Sequence, residues 1–420
     1  MPTLASPDAP LGHERVRAFV AEQFADPRFD GARVCVIVPD ATRSCPLAEV
    51  LDTVHGALAG RVASLTVLIA LGTHAAMSQA QIEKMLEVEP GGLAARYPGA
   101  RIVNHEWWDP GALVEVGTIK AGTLAGLSGG LLERPVTVTV NRAAVEHDEL
   151  VILGPVFPHE VVGFSGGNKY LFPGISGQEM IDVSHWLGAL ISSSSIIGTL
   201  GTTPVRALID EAAAFVPARV SALCLVVQSG THELHGLAYG DGKQAWAEAA
   251  RLSARVHVAY LPEPVSRVVS IIPDRYDEMW TAAKGMYKVD PVVADGGEVV
   301  IYAPRITTVS HTHGPEIAAI GYHCRDYFTG QWDRFKDHPW GVLAHSTHLR
   351  GGGTWSEAEG ERPRITVTLA TGIGREETEA LGLNYRDPAT ISVEEELATP
   401  GCLVVPNAGE TLFRLASERH

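Results

Sequence analysis

The chain has 420 residues, about two to three typical domain lengths and enough to bury a sizeable core without disulfides or structural metals. Apolar residues make up 45% and charged residues 20%, so neither global disorder nor a coiled coil describes it. Lys and Arg number 33 against 49 acidic residues, and the net charge of −16 disfavours binding to nucleic acid or to an anionic membrane surface. A small anionic substrate would need only a few local cations.

The five cysteines are an odd number, widely spread, and include no C-x-x-C pair. We therefore expect no disulfide framework. Residues 1–15 lack the long apolar stretch of a signal peptide, and no apolar run in the chain is long enough for a membrane span. These features predict a cytoplasmic protein with reduced thiols.

Short apolar runs rich in β-branched residues predict buried strands at Val34–Val38, Leu65–Leu71, Arg101–Val103, Leu150–Leu153, Ala222–Val227, Val268–Ile272, Val299–Tyr302, Ile365–Leu369 and Leu403–Val405. Stretches with helical spacing lie between many of them, as at Ser78–Val88, Thr203–Phe215 and Asp241–Val256. This alternation predicts an α/β fold with mainly parallel sheets covered on both faces.

Pro262 and Pro264 interrupt the pattern after a long predicted helix and before a new strand. We expect a division at about residue 265. It would separate an N-terminal α/β domain, residues 1–265, from a smaller C-terminal α/β domain, residues 266–420. Ligand sites often lie in the cleft between two such domains, so we expect the active site there.

The segment Gly154–Trp186 is the densest in glycine, proline and polar groups. Its composition predicts a long irregular loop followed by a helix that begins near Gln178. Loops of this length inside compact domains are usually functional.

Two familiar motifs fit this segment poorly. The residues around Ser165 match the G-x-S-x-G nucleophile elbow, but Pro173 would break the helix that must follow the serine. Lys169 after glycines resembles a phosphate-binding loop, but Asn168 and Tyr170 stand where that motif has Gly and Ser/Thr. No G-x-G-x-x-G fingerprint follows a predicted strand.

What remains is Lys169 on a glycine-flanked loop, with His159 before it and His185 after it in the predicted helix. A lysine near imidazoles is suited to covalent attachment of an electrophilic cofactor or substrate, and a histidine on the helix is suited to a metal. The alternative is that Lys169 is a solvated loop lysine and each histidine is satisfied locally.

Polar residues also follow three of the predicted strands. Asp40, Thr42 and Arg43 follow the first, His74 the second and His105 the third. Parallel α/β sheets bind ligands at the carboxyl ends of their strands, so these positions are candidates for a site. Turns or helix caps are the alternative role for such residues.

Four separated motifs together resemble the nickel-dependent lactate racemase family of 2-hydroxyacid racemases and epimerases. They are PDATR at Pro39–Arg43, LGTHAAMS at Leu71–Ser78, NH at Asn104–His105, and PHEVVGFSGGNKYLFPGISG at Pro158–Gly177 continuing to His185. The resemblance implies two α/β domains and a nickel-pincer nucleotide, a pyridinium mononucleotide attached through a thioamide to Lys169. It also implies that His185 is the protein ligand of the nickel and that Asp40 lies near the cofactor.

The same resemblance implies that His74 and His159 act as alternate general acid and base. It also implies that Arg43 and Lys284 bind the substrate, with His105 a further pocket residue. The implied reaction is reversible transfer of the Cα hydride to the pyridinium ring, through a planar 2-oxo acid, which inverts C2. Separate maturation enzymes that build the cofactor are the expected protein partners.

Departures from the family pattern leave the substrate open. Trp280 and Thr281 stand where the lactate enzymes have Tyr and Gln, and the shorter Thr281 leaves room for a longer or more polar substrate arm. Lactate, malate, 2-hydroxyglutarate, an aryl-lactate and a sugar acid all remain candidates. A lyase or hydrolase acting through Lys169 or Ser165, and a noncatalytic hydroxy-acid-binding protein, are the competing functions.

Four further histidines have spacings that weakly resemble a metal site. They are His311, His313, His345 and His348. We expect them instead to be strand or loop residues that face solvent or the cleft.

Overall fold

The computed structural model describes residues 1–419, which form two compact units. The first unit consists of Met1–Phe157, Phe164–Ile181 and Leu200–Val256. The second consists of Pro158–Gly163, Asp182–Thr199 and the chain from His257 onward. This partition differs from a single division at about residue 265, because two segments from the N-terminal half belong to the second unit.

Close backbone packing holds these two segments together inside the second unit. A Cβ added to Gly188 would lie 2.9–3.1 Å from atoms of Val161, so only glycine allows the approach. The Gly198 N–H donates a hydrogen bond of 2.9 Å to the Gly163 carbonyl. Contacts of this kind depend on tertiary structure and leave no break in the sequence pattern.

The first unit contains a seven-stranded sheet. Five consecutive strands, from Arg219–Val227 to Ala100–Asn104 at one edge, are parallel to one another. Each of the two remaining strands, at the other edge, pairs antiparallel with its neighbour. In spatial order the strands are Thr3–Ala5, Leu234–Gly240, Arg219–Val227, Glu149–Pro155, Arg33–Pro39, Ser64–Ala70 and Ala100–Asn104. The central strand Arg33–Pro39 is buried from Val34 to Pro39 on both faces, which explains its continuous apolar sequence.

The second unit contains a five-stranded sheet that is parallel throughout. In spatial order its strands are Asn384–Tyr385, Thr366–Thr371, Val293–Ala303, Val265–Ile271 and Cys402–Val405. The predicted α/β class with mainly parallel sheets is therefore confirmed, and each predicted strand has a counterpart in one of the two large sheets.

Smaller strands complete the two units. They are Leu113–Ile119, Val136–Asn141, Pro158–His159, Gly163–Phe164, Val258–Leu261, Gly353–Ser356, Gly360–Pro363 and Leu412–Leu415.

Helices cover the sheets and connect their strands. Those of the N-terminal half are His13–Phe24, Leu47–Leu58, Gln79–Met85, Leu93–Arg96, Ala121–Ser128, Ala143–Glu146, Gln178–Ile191, Ser193–Ile196, Pro204–Ala213 and Gly242–His257. Those that follow are Met279–Ala282, Lys284–Tyr287, Gly314–Ile320, Arg325–Gly330, Trp332–Phe335, Trp340–Arg350, Arg375–Ala380 and Val393–Ala398. Short 3-10 helices occupy Pro27–Phe29, Pro110–Ala112, Gly167–Tyr170, Asp290–Val292, Pro388–Thr390 and Ala416–Glu418.

None of the helices in residues 1–419 has both the length and the apolar character needed to cross a membrane. All five cysteines are free thiols, as expected.

The lysine loop, residues 164–177, is held in the first unit by a buried arginine. The Arg206 guanidinium donates hydrogen bonds of 2.5 Å to the Phe164 carbonyl and 3.1 Å to the Gly166 carbonyl. It also lies 4.0 Å above the centre of the Trp246 ring. Burial lowers the pKa of Arg206 to about 10, which still leaves it charged at neutral pH. This cation fixes the start of the loop that carries Lys169.

We expect Arg206→Met to lower the free energy of unfolding by about 2–4 kcal/mol, because two buried carbonyls lose their donor and a cation–π contact is lost. The control is Arg255→Met, at an exposed position in the same unit, which should change stability by less than about 0.5 kcal/mol. Urea denaturation followed by circular dichroism measures both. Equal stability of the two variants would show that Arg206 does not anchor the loop.

Candidate functional site

In the first unit, Asp40 and His74 are in direct contact at the carboxyl ends of two neighbouring parallel strands. Asp40 follows the strand Arg33–Pro39, and His74 follows the strand Ser64–Ala70. An Asp40 carboxylate oxygen contacts His74 Nδ1, while the Thr42 hydroxyl and main-chain N–H donate to the other oxygen at 2.6 and 3.1 Å. Two candidates that the sequence analysis selected at strand ends therefore lie in contact at one edge of the sheet.

The Asp40 carboxylate is buried and remains ionised. Burial by itself raises the pKa of Asp40, but the charge and hydrogen bond of His74, the Thr42 hydroxyl and the charge of Arg43 together lower it below its ordinary value. When the His74 ring is neutral, an ionised acceptor on Nδ1 places the ring proton there and leaves Nε2 with a lone pair. No residue in the described part of the chain binds Nε2, and the His74 side chain is 21% exposed. The dyad can therefore accept a proton at His74 Nε2.

The loop that follows the second strand is also tied to the lysine loop. The Gly72 N–H donates a 3.0 Å hydrogen bond to the Gly174 carbonyl. Tyr170, directly after Lys169, lies close enough to Asp40 and Arg43 for their charges to affect its pKa, which burial raises well above its ordinary value. The structure thus brings Asp40, Arg43, His74 and the residue next to Lys169 together in the first unit.

Lys169 itself is half-buried in the 3-10 helix Gly167–Tyr170. Close packing fixes this turn: a Cβ on Gly154 would lie 2.0 Å from the Tyr170 hydroxyl, and one on Gly174 would lie 2.3 Å from the Tyr170 carbonyl oxygen. The Asn168 side chain donates a 2.9 Å hydrogen bond to Asp210. The amine of Lys169 is therefore carried on a rigid turn.

Two residues of the sequence motifs have structural hydrogen bonds. His105 is fully buried, with Nε2 3.0 Å from the Ser176 carbonyl and Nδ1 3.1 Å from the Asn141 amide. Both ring nitrogens are occupied, and burial lowers the pKa of His105 to about 4. The Ser165 hydroxyl accepts a 2.9 Å hydrogen bond from the Phe157 N–H, and a 3-10 turn follows it instead of the helix that a nucleophile elbow requires.

In the second unit, His159 is buried at the end of the short strand Pro158–His159. Its Nδ1 accepts a 3.1 Å hydrogen bond from the Val161 N–H, so the proton of the neutral ring is on Nε2. The Glu160 carboxylate lies 3.5 Å from the same Nδ1. His159 is therefore oriented by its own turn.

A buried ion pair supports this turn. Lys288 is 3% exposed, donates to the Pro158 carbonyl and lies 4.0 Å from the Glu160 carboxylate. Burial by itself raises the pKa of Glu160, but Lys288 first, then main-chain hydrogen bonding, His348 and Lys284, lower it to about 2. Sequence reasoning did not identify Glu160 or Lys288 as members of the site, because their pairing joins residues 128 positions apart.

The residues expected to contact substrate in the second unit lie on two short consecutive helices, Met279–Ala282 and Lys284–Tyr287. Trp280, Thr281 and Lys284 are all buried. The Thr281 hydroxyl donates a 3.1 Å hydrogen bond to the Glu278 carbonyl, within its own helical turn. The Lys284 ammonium lies 5.0 Å from the centre of the Tyr276 ring, which is within the range of a cation–π contact.

His185 is half-buried on the helix Gln178–Ile191, as the sequence predicts for a helix that begins near Gln178. Its Nδ1 lies 3.5 Å from the hydroxyl of Ser184. The next residue, Trp186, stacks on Trp332 with ring centres 5.4 Å apart and planes 10° apart. This stacking fixes the part of the helix that carries His185.

Two of the C-terminal histidines are not where the sequence analysis expects them. His345 and His348 lie on the helix Trp340–Arg350 and are 7% and 3% exposed. The expectation that they lie in strands or loops, facing solvent or the cleft, is therefore wrong in its secondary structure, because both are buried residues of a helix. The sequence of residues 340–350 lacks the polar face that marks an amphipathic helix, because nine of these residues are buried on all sides of the helix.

Lys169 and His185, to which the family resemblance assigns a cofactor, have the residue chemistry that such a group needs. Within residues 1–419 no three His, Cys, Asp or Glu side chains are grouped to hold a metal ion. The group implied by the family resemblance needs an accessible amine for attachment and one histidine for the metal. Lys169 on its rigid, half-exposed turn and His185 on its fixed helix have those chemistries.

The chain matches the model of the lactate racemase N-terminal domain over residues 10–198. That segment contains Asp40, Arg43, His74, Lys169 and His185. Residues 10–198 therefore form a lactate racemase N-terminal domain.

A lactate racemase from Thermoanaerobacterium thermosaccharolyticum is 24% identical over 282 residues, which are 64% of this chain. The match spans 59% of the length of that relative. A crystal structure of a Thermotoga maritima protein is 32% identical, with a TM-score of 0.90 over 98% of this chain and 100% of that one. The lactate racemase apoprotein of T. thermosaccharolyticum matches at 17% identity, with a TM-score of 0.71 over 97% and 94% of the two chains, and shares the fold.

We expect Lys288→Met to lower the free energy of unfolding by about 3–5 kcal/mol, because Glu160 would stay buried without its cation. The double variant Lys288→Met/Glu160→Gln should recover part of that loss. Lys336→Met removes the cation of an exposed pair with Asp333, should lower stability much less, and serves as the control.

The loss of stability in Lys288→Met should also depend on pH. The folded-state pKa of Glu160 is lowered, so its stabilising contribution is complete above about pH 4.3 and is lost as the pH falls towards 2. In Lys288→Met the carboxyl can take up a proton, so the penalty should shrink at acidic pH. Urea denaturation of wild type and Lys288→Met at pH 7 and pH 4 measures the difference in their free energies of unfolding. A difference independent of pH would contradict the ion pair.

Proposed function

We propose that this protein is a racemase or epimerase that inverts C2 of a 2-hydroxy acid. The observation that carries the proposal is the Asp40–His74 dyad, which lies in the segment matched by the lactate racemase domain and leaves His74 Nε2 able to accept a proton. A hydroxyl group must lose its proton before a hydride can leave the same carbon, and an oriented imidazole is suited to that step.

His74 and His159 are proposed as the acid/base pair. For one enantiomer His74 Nε2 takes the hydroxyl proton, and the ionised Asp40 stabilises the imidazolium that results. The hydroxyl of the other enantiomer lies on the opposite side of the planar 2-oxo acid, and His159 is proposed to take its proton. For this the ring proton of His159 moves from Nε2 to Nδ1, where the Glu160 carboxylate, 3.5 Å away, faces it. Val161 and the Glu160–Lys288 pair hold the His159 ring in one orientation.

Arg43 and Lys284 are proposed to bind the substrate carboxylate. A guanidinium forms two parallel hydrogen bonds with a carboxylate, and an ammonium adds a point charge. Lys284 is buried, so its attraction for an anion is little screened by solvent. Trp280 and Thr281 are proposed to line the substrate arm beside it.

We further propose that Lys169 carries a nickel-pincer nucleotide and that His185 is the protein ligand of the nickel. When bound, that cofactor would supply the acceptor for the Cα hydride and return it to the other face. Asp40, through its contact with His74, keeps a proton acceptor at the carboxyl edge of the sheet in the first unit. The expected partners are the maturation enzymes that build the cofactor, in a cytoplasmic setting where the five thiols stay reduced.

Intact-protein mass spectrometry with metal analysis tests the cofactor. Protein from a host that co-expresses the maturation enzymes should carry a mass adduct at Lys169 and about one nickel per chain. Lys169→Ala should lose the adduct while keeping its circular dichroism spectrum, and Lys120→Ala, at an exposed lysine, should retain it. An unmodified, nickel-free chain from such a host would contradict the cofactor assignment.

The acid/base roles are tested by His74→Gln and His159→Gln in the loaded protein. Each should reduce C2 inversion by about 10²–10⁴-fold, because one enantiomer loses its base and the reaction must run through both. His232→Gln, at an exposed histidine, is the control. Chiral chromatography of a panel of 2-hydroxy acids gives the rates, and full activity in either variant would exclude that histidine from the reaction.

A further inference from the structure

His345 and His348 lie one turn apart on the helix Trp340–Arg350 and are buried, yet most of their ring nitrogens have no protein partner. His345 Nδ1 and both ring nitrogens of His348 lack a hydrogen bond anywhere in the described chain. Tyr322, which is fully buried, has an unpartnered hydroxyl and lies with its ring centre 5.8 Å from that of His345. Leaving a buried polar group without a partner costs about 1–3 kcal/mol, so such groups generally have a role.

The protonation states of these groups define what they can bind. Burial lowers the pKa of His345 to about 3 and that of His348 to about 4, so both rings are neutral at physiological pH. His345 Nε2 lies 3.1 Å from the Trp280 carbonyl and must donate to it, which makes Nδ1 an acceptor. Neutral His348 offers one donor and one acceptor, and burial raises the pKa of Tyr322, which keeps its O–H as a donor.

The position of the cluster connects it to the expected substrate residues of the second unit. The His345 ring stacks on Trp280 with ring centres 3.8 Å apart and planes 10° apart. The charge of Lys284 is near enough to lower the pKa of His345 further. Tyr287, on the same short helix as Lys284, has its ring centre 5.9 Å from that of His348. The unpartnered groups therefore lie beside the side chains to which we assign the substrate.

We propose that His345 and His348, with Tyr322, bind hydroxyl groups on the substrate arm beyond C2, so that the substrate is a polyhydroxy acid of the sugar-acid class. This inference rests on the proposed racemase or epimerase function. A hydroxyl both donates and accepts, which matches a set of neutral donors and acceptors. The methyl group of lactate would satisfy none of them. The second carboxylate of malate only accepts hydrogen bonds, so it would leave His345 Nδ1 without a donor.

The test compares nickel-loaded protein on gluconate, lactate and malate. Wild-type kcat/KM for C2 inversion should be at least about tenfold higher for gluconate, since one hydrogen bond of about 1.4 kcal/mol corresponds to a factor of ten. His345→Leu and His348→Leu should each reduce the ratio of gluconate to lactate kcat/KM by about tenfold. His338→Leu, at a half-exposed histidine paired with Glu316, should leave that ratio unchanged.

A second measurement separates failure of this inference from failure of the proposed function. Calorimetry measures gluconate binding to the same proteins, with His348→Gln included in case His348→Leu fails to fold. The wild type could instead prefer lactate or malate, with a ratio of gluconate to lactate kcat/KM that the variants do not change. That result would overturn the proposed hydroxyl binding by His345 and His348 and leave the proposed racemase function standing. If no acid is inverted, the proposed function fails. Binding of gluconate that His348→Leu weakens about tenfold would then still support the subsite, and absent or unaffected binding would overturn it.

Discussion

The candidate site depends on an ionised carboxylate buried against an imidazole at the carboxyl edge of a parallel sheet. Burial alone would favour the neutral acid, but His74, Thr42 and Arg43 stabilise the charge of Asp40. The negative charge in turn decides which nitrogen of His74 carries the ring proton. This arrangement needs two adjacent parallel strands to end at the same level, which the register of Arg33–Pro39 with Ser64–Ala70 supplies.

The second unit positions its own histidine through a comparable use of buried charge. The ammonium of Lys288 is withdrawn from water, donates to the Pro158 carbonyl and neutralises Glu160. A buried pair of this kind contributes little net stability compared with an apolar pair, because both charges are desolvated. Its effect is to specify the conformation of the turn that carries His159, which is what an acid/base residue requires.

The two histidines near Trp280 are neutral and incompletely hydrogen-bonded, in contrast to the ionised groups Asp40 and Glu160. His345 and His348 are held uncharged by burial, and their free nitrogens match hydroxyl groups better than carboxylates. Under the proposed function, these groups would line the substrate arm together with Trp280 and Thr281.

The sequence by itself determined the α/β class, nine strands of the two large sheets and four of the helices, because buried parallel strands are continuous apolar runs. It also made Asp40, Arg43, His74 and Lys169 candidates for the site, because strand ends and a glycine-rich loop are local features. Only the tertiary structure decided which segments share a unit, that His105 and Ser165 have structural hydrogen bonds, and that Glu160 pairs with Lys288. It also placed His345 and His348 in the interior. These facts depend on contacts between residues far apart in the chain, which local pattern and composition do not encode.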